Sequence, residues 1–227
     1  MEIRALIFDF NGVLVDDESI HFQAFQNTIR AEGLDLDWEG YCERYLPYED
    51  HDLFAHFLED QDRDSSPQVL EWLIQVKSRH YFEAIEQNAP TIQSSIAFVN
   101  NLPPTVALAI ASGAARKEIE FILDRLSLQQ RFFPIIAASD VTLGKPHPEA
   151  FLKALEGLQS NDPSLERDQV IVIEDSYRGV DSAHQAGMRC LALSTTYPSS
   201  RLSEADLVLE TLEGWSVEQL AARLEEV

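Results

Sequence analysis

The chain has 227 residues, 45% of them hydrophobic and 25% charged, with 17 Lys and Arg against 39 Asp and Glu for a formal net charge of −22. This length can bury a substantial core at an ordinary folded composition, while the acidity opposes nonspecific binding to nucleic acid or anionic membrane, because the summed field repels polyanions. No stretch approaches the roughly 20 apolar residues that span a bilayer, the N-terminus has no signal-like character, and Cys42 and Cys190 fit no metal spacing; the expectation is a cytoplasmic chain with two reduced thiols and neither membrane nor nucleic acid as partner.

An apolar run from Ile3 ends at Asp9, and Gly12 follows three residues later. Such a run reads as a buried parallel strand, and its C-terminal end is where open α/β folds place their chemistry. Asp9 is therefore a candidate nucleophile or metal ligand, against the alternative of an ordinary loop acid. From about 18 to 87 apolar residues recur at helical spacing instead: Phe22, Phe25 and Ile29, then Leu53, Phe54, Phe57 and Leu58, then Val69 onward to Ile85. Gly33, Gly40, Pro47 and the polar stretch 60–67 separate these runs, and Asn88-Ala89-Pro90 closes the section. Residues 17–87 are thus expected to form an all-helical insert.

From 91 onward strand and helix alternate. Strands are expected at 105–111, 133–138, 170–173 and 189–193. Helices are expected at about 114–125, at 148–158, up to Gly187, and at about 217–224. Alternation of this kind implies an α/β core with a parallel sheet, built from residues 1–16 and 88–227.

Three more strand ends carry groups suited to phosphate or metal. Ser112-Gly113 stands just before a helix, where a hydroxyl and backbone N–H groups can hold phosphate oxygens, although Ser and Gly also cap helices for structural reasons. Lys145, between Gly144 and Pro146-His147-Pro148, is held in a rigid loop and offers a fixed cation to an anionic ligand; the alternative is an exposed loop lysine. Glu174-Asp175-Ser176 follows the run 170–173. Adjacent acids at a strand end are costly unless a cation neutralises them, and their oxygens suit Mg²⁺. The alternative is a solvated pair.

With these four strand ends in this order the chain resembles the haloacid dehalogenase superfamily, in the branch of β-phosphoglucomutase-like and phosphoglycolate-phosphatase-like enzymes with a helical cap. The family pattern DxDGVLxDSE, then His, is matched by Asp9-Phe10-Asn11-Gly12-Val13-Leu14-Val15-Asp16-Asp17-Glu18 and His21. Its strand-ending serine is matched by Ser112-Gly113, with Arg116 at a position that is often basic. GKPxP is matched around Lys145, and EDSxxGVxAAxxAGM by 174–188. The resemblance implies a Rossmann-like catalytic core with an inserted helical cap, Mg²⁺ as cofactor, a small phosphorylated metabolite as substrate, and a monomer. It implies Asp9 as the nucleophile that forms an aspartyl-phosphate. Mg²⁺ would be held by Asp9, Asp175, Glu174 and the backbone carbonyl of Asn11. Lys145, Ser112 and the Gly113 amide would cradle the phosphoryl oxygens, and Gly12, Arg116, His21 and Lys77 are the remaining substrate-binding positions.

The chain departs from the family at Asn11, where a second aspartate normally protonates the leaving alcohol and later activates water. An amide can do neither, and loss of such a group costs about 10²–10⁴ in rate, least for aryl or acyl phosphates. His21, Asp16 or Asp17 could substitute, the substrate could carry a good leaving group, or the chain could be a catalytically impaired phosphate-binding relative. Asn11 also argues against a β-phosphoglucomutase-like phosphomutase. So does Leu46-Pro47-Tyr48-Glu49-Asp50-His51, where mutase caps carry a basic residue: acids there repel a second phosphate and favour a monophosphorylated substrate. Metal-free dehalogenation fits Glu174-Asp175 poorly. A phosphonate-cleaving relative would need a Schiff-base lysine from the cap, where Lys77 is the only lysine. The resulting expectation is a Mg²⁺-dependent phosphatase in which Asn11 replaces the usual acid/base.

Overall fold

The computed structural model describes residues 2–87 and 89–226. Met1, Val227 and Asn88, the residue expected to open the return to the core, lie outside the described residues. The chain divides into two compact units, Met1–Asp16 with Thr91–Val227, and Asp17–Pro90. The first strand, β1 (Ala5–Phe8), belongs to the first unit, and four helices follow it: α1 (Glu18–Ala31), α2 (Trp38–Arg44), α3 (Asp50–Asp60) and α4 (Pro67–Gln87).

These four helices make the second unit, and their buried positions explain why they form. Helix α1 buries Ala24, Phe25, Thr28 and Ile29, α3 buries Leu53, Phe54, Phe57 and Leu58, and α4 buries Leu70, Leu73, Lys77, Tyr81 and Ile85. Each set lies on one helical face. Phe25 packs its ring 5.0 Å from Phe54 and 5.2 Å from Phe57. Buried side chains of this size stabilise by roughly 1.5–3 kcal/mol each, so the unit carries its own apolar core. Helix α2 is the element that apolar spacing alone does not reveal. It has seven residues with a glycine inside, and Asp37 starts it by accepting from the Gly40 N–H at 2.8 Å.

The first unit continues with α5 (Gln93–Asn101), β2 (Ala107–Ala111), α6 (Arg116–Arg125), β3 (Ile135–Ile136), α7 (Glu149–Asn161), β4 (Val170–Glu174), α8 (Tyr177–Gln185), β5 (Arg189–Leu193), β6 (Leu207–Leu209) and α9 (Val217–Glu225). The six strands form one parallel sheet in the order β3-β2-β1-β4-β5-β6. Every residue of β1 and β4 is buried, as a parallel sheet covered on both faces requires. The order reverses between β1 and β4, and in such sheets that switch point is where a crevice opens at the strand ends.

Several expected boundaries shift for local reasons. Strand β2 begins at Ala107 rather than 105, because Pro103 and Pro104 start a turn that Val106 N–H closes on the Pro103 carbonyl at 3.0 Å. Strand β3 is limited to two residues. Pro134 has no N–H to donate, and beyond Ala137 the chain turns, with Asp140 accepting from the Ala137 N–H at 2.7 Å. Helix α5 and strand β6 were not anticipated, and three residues of β6 are too few to show a period. Cys42 and Cys190 are both free thiols. Among the described residues no helix is long and apolar enough to cross a membrane.

Candidate active site

The register brings the motif-bearing strand ends to one edge. Phe8 lies opposite Ile110 of β2 on one side and Ile173 of β4 on the other. Asp9 therefore emerges beside Glu174, and its N–H still donates to the Ile173 carbonyl at 2.8 Å. Beyond Asp9 the chain folds into a tight turn. The Phe10 carbonyl accepts from the N–H groups of Val13, Leu14 and Val15, and Gly12 N–H donates to the Val15 carbonyl at 2.7 Å. Gly12 has φ +71°, and a Cβ there would stand 1.8 Å from Asp175 Oδ2. Only glycine lets this turn close onto that carboxylate. Asn11 sits half-buried in the turn, its backbone bridged to Val15.

Lys145 is not an exposed loop lysine. Its Nζ donates to Asp9 Oδ1 at 2.8 Å and to Glu174 Oε1 at 2.6 Å, and it stands 4.8 Å from the centre of the Phe151 ring. The other oxygen of Glu174 accepts from the N–H groups of Asp175 and Ser176 and from Ser176 Oγ, each at 2.9 Å. Gly179 makes room for that carboxylate: a Cβ would lie 1.8 Å from Glu174 Oε1. The loop carrying Lys145 is fastened by Glu149. Glu149 accepts from the N–H groups of Thr142 and Leu143 and from Lys153 Nζ. Those donors hold its carboxyl down at about 2. On the opposite flank the Arg178 guanidinium donates to the Lys145 carbonyl.

Asp9, Glu174 and Asp175 are all buried and offer carboxylate oxygens within 4.8 Å of one another. One ammonium cannot neutralise three such groups, and the acids diverge accordingly. Burial pushes Glu174 up, but the Lys145 charge and its donors outweigh that and leave it below the usual range. Burial raises Asp9 despite Lys145. Asp175 is driven well above the usual carboxylate range by burial and then by the charges of Glu174 and Asp9, with Thr196 donating to it as a partial offset. Burial would lower Lys145, but Asp9 and Glu174 keep its ammonium more stable than in water. A set of hard oxygens with excess negative charge fits a divalent cation such as Mg²⁺.

Ser112 directly follows β2, buried, with its N–H on the Ile136 carbonyl at 2.9 Å and its Oγ accepting from Ala114 N–H at 3.2 Å. The hydroxyl proton remains able to donate, next to Gly113 and the start of α6. Arg116, expected as a substrate contact, has protein partners in Asp140 at 2.5 Å, the Ile135 carbonyl at 2.8 Å and Glu120 at 3.5 Å. It ties α6 to β3 and is not part of the Asp9 cluster.

The helical unit holds its own polar cluster. Lys77 is only 2% exposed. Its Nζ lies 2.5 Å from His21 Nδ1 and 2.8 Å from Asp50 Oδ1. An ammonium donating to Nδ1 leaves the imidazole proton on Nε2, which lies 3.3 Å from Asp17 Oδ2. Tyr81 OH donates to the same Asp17 oxygen, and its ring stacks on His21 at 4.3 Å. Asp17 and His21, considered as substitutes for the missing acid/base, are thus occupied with each other and with Tyr81, while Asp16 is exposed. Sequence spacing does not single out Thr196, Glu149 or Arg178: Thr196 and Arg178 act on groups remote in sequence, and Glu149 reads as an ordinary first-turn helix acid.

Residues 6–193 match the family described as haloacid dehalogenase-like hydrolase. The chain is 30% identical over 204 residues to protein CbbY of Rhodobacter capsulatus, covering 87% of this chain and 88% of that protein. It is 28% identical to a phosphorylated carbohydrates phosphatase of Thermotoga maritima, with 82% of each chain covered. In fold it is similar to CbbY of Rhodobacter sphaeroides solved in complex with phosphate, at a TM-score of 0.84 and 22% identity, covering 96% and 99% of the two chains.

Proposed function

The chain belongs to the haloacid dehalogenase-like hydrolase family, and we propose that within it this protein is a Mg²⁺-dependent phosphatase that hydrolyses a small monophosphorylated metabolite through an aspartyl-phosphate on Asp9. The observation that carries this reading is the Lys145 ammonium bridging Asp9 and Glu174 beside Asp175. The phosphatase names of curated relatives support it.

Bound Mg²⁺, held by Asp9, Asp175 and the Asn11 carbonyl with Glu174 alongside, would offset the repulsion between a carboxylate nucleophile and a phosphoryl group. Glu174 is engaged by four donors already, which favours a role in fixing Lys145 over direct coordination. Asp9 attacks phosphorus as the bond to the leaving oxygen breaks. Lys145, the Ser112 hydroxyl and the Gly113 amide hold the equatorial oxygens, whose charge is spread in the transition state. Water then breaks the aspartyl-phosphate and restores Asp9. Asn11 can hydrogen-bond the leaving oxygen but supplies no proton, so substrates whose leaving group is stable as an anion react best.

The resemblance assigns substrate choice to the helical unit, and there Asp50 already neutralises Lys77, with Glu49 beside it. A second phosphate would meet no unpaired cation from Lys77, which supports a single phosphate and disfavours a phosphomutase. We place the enzyme in the cytoplasm as a monomer, in accord with its free cysteines. A second reading, a phosphate-binding relative with little turnover, is favoured by Asn11 alone.

The test is phosphate release from acetyl phosphate, p-nitrophenyl phosphate and a panel of sugar and glycolate phosphates, with Mg²⁺ or EDTA. The expected result is Mg²⁺-dependent turnover, strongest on acetyl phosphate and reduced at least about 10⁴-fold in Asp9→Ala. A silent parent that still binds phosphate would put the binding relative first.

A further inference from the structure

Arg178 stands at one of the two open positions of the EDSxxG pattern, in the first turn of α8, which begins directly beyond Glu174-Asp175. Its guanidinium reaches back to the lysine loop. Nε donates to the Lys145 carbonyl at 3.0 Å, and Nη2 donates to the same oxygen. One turn along α8, Ser182 Oγ donates to the His147 carbonyl at 2.9 Å. Glu149 fastens the loop at Thr142 and Leu143, and nearer Lys145 the backbone offers fewer donors. Pro146 and Pro148 carry no N–H, and His147 N–H closes on the Gly144 carbonyl at 3.0 Å.

A lysine ammonium sits at the end of a long flexible stem, so its place is defined only when the backbone beneath it is fixed. Here the same helix start that follows the two acids grips the carbonyl of the lysine itself. We propose that Arg178 is a positioning residue: by clamping the Lys145 carbonyl to the start of α8 it fixes the ammonium relative to Asp9 and Glu174. Charge-assisted bonds are stronger than neutral ones, and the planar fork of Arg supplies both from one side chain. This rests on the reading of Lys145 as a donor to the phosphoryl group.

The test compares the full-length parent with Arg178→Ala and Arg178→Lys, in Mg²⁺, with and without added guanidinium. Turnover of p-nitrophenyl phosphate is expected to fall about 10–100-fold in Arg178→Ala, the scale at which misplacement of a catalytic group is felt. The melting temperature stays near the parent's, and guanidinium restores part of the rate. Arg178→Lys, which can still donate to the carbonyl, keeps most of it. Parent-like turnover in Arg178→Ala overturns the proposal, and so does a loss that guanidinium leaves untouched. Should the parent be silent, the hydrolase reading fails separately, and affinity for inorganic phosphate becomes the readout. The order parent, Arg178→Lys, Arg178→Ala then supports the clamp, and equal affinities overturn it.

Discussion

The two units each bury acids beside a lysine, and they treat them in opposite ways. In the helical unit each acid of the cluster has a dedicated donor: Tyr81 and His21 for buried Asp17, Tyr41 for half-buried Glu18, and Lys77 for half-buried Asp50. Burial would raise Asp50, yet the Lys77 charge holds its carboxyl below the usual range. In the sheet unit three carboxylates share one ammonium, and Asp175 is left far above its ordinary value by burial and by its neighbours. Identical residue types thus give a closed network in one place and an electrostatic debt in the other. Only the second calls for a cation that the chain does not itself supply.

Asn11→Asp breaks this contrast most strongly, because it adds a fourth carboxylate to the side already in excess. Turnover of alkyl phosphates is expected to rise about 10²–10⁴-fold, the usual worth of a general acid/base, while stability without metal does not improve. Initial rates on an alkyl and an acyl phosphate check it. An equal gain on both substrates would mean that leaving-group protonation is not what Asn11 lacks.

A matched pair of neutralisations comes next. Asp175→Asn removes an acid from the crowded cluster and is expected to raise metal-free stability by roughly 1–3 kcal/mol. It should also abolish the melting shift that Mg²⁺ gives the parent, which is about 2.7 kcal/mol at a hundredfold excess over the dissociation constant. Asp50→Asn removes an acid from the closed network and with it the ion pair between Asp50 and buried Lys77. Breaking a fully buried pair costs about 3–5 kcal/mol. The Asp50 side chain is 36% exposed, so about 1–2 kcal/mol is expected here after solvent screening. Denaturant unfolding with and without Mg²⁺ gives both signs, and equal signs would erase the distinction between the units.

Much of this was legible beforehand, for identifiable reasons. Strands β1 and β4 are continuous apolar runs that end in acids, and a parallel sheet buried on both faces demands that composition. Asp9, Glu174 and Asp175 stand at strand ends and Lys145 in a loop bounded by Gly144 and Pro146, so local sequence located them. Helix α2 and strand β6 were too short to show a period. Thr196 and Arg178 answer to a carboxylate and a carbonyl that only folding brings near, and Glu149 reads as an ordinary first-turn acid. Arg116 shows what spacing alone leaves out, since its partners Asp140 and the Ile135 carbonyl come from a segment that folding brings to α6.

Glu149 gives the smallest effect and a third case, an acid at the rim of the sheet unit rather than in its crowded cluster. Its pKa is lowered from 4.5 to about 2 by Lys153 and by the N–H groups of Leu143 and Thr142. A carboxyl depressed on folding contributes stability that is complete above its unfolded value and lost as pH falls through its folded one. The melting difference between the parent and Glu149→Gln is therefore expected to hold steady from neutral pH to about 4.5 and to shrink as pH approaches about 2. A difference that stayed constant across this range would mean that the loop is held by shape and packing, with the charge of Glu149 incidental. A difference confined to higher pH would show that the lysine loop is tied down by an ionised carboxylate, which makes the rim resemble the closed network of the helical unit more than the cluster it surrounds.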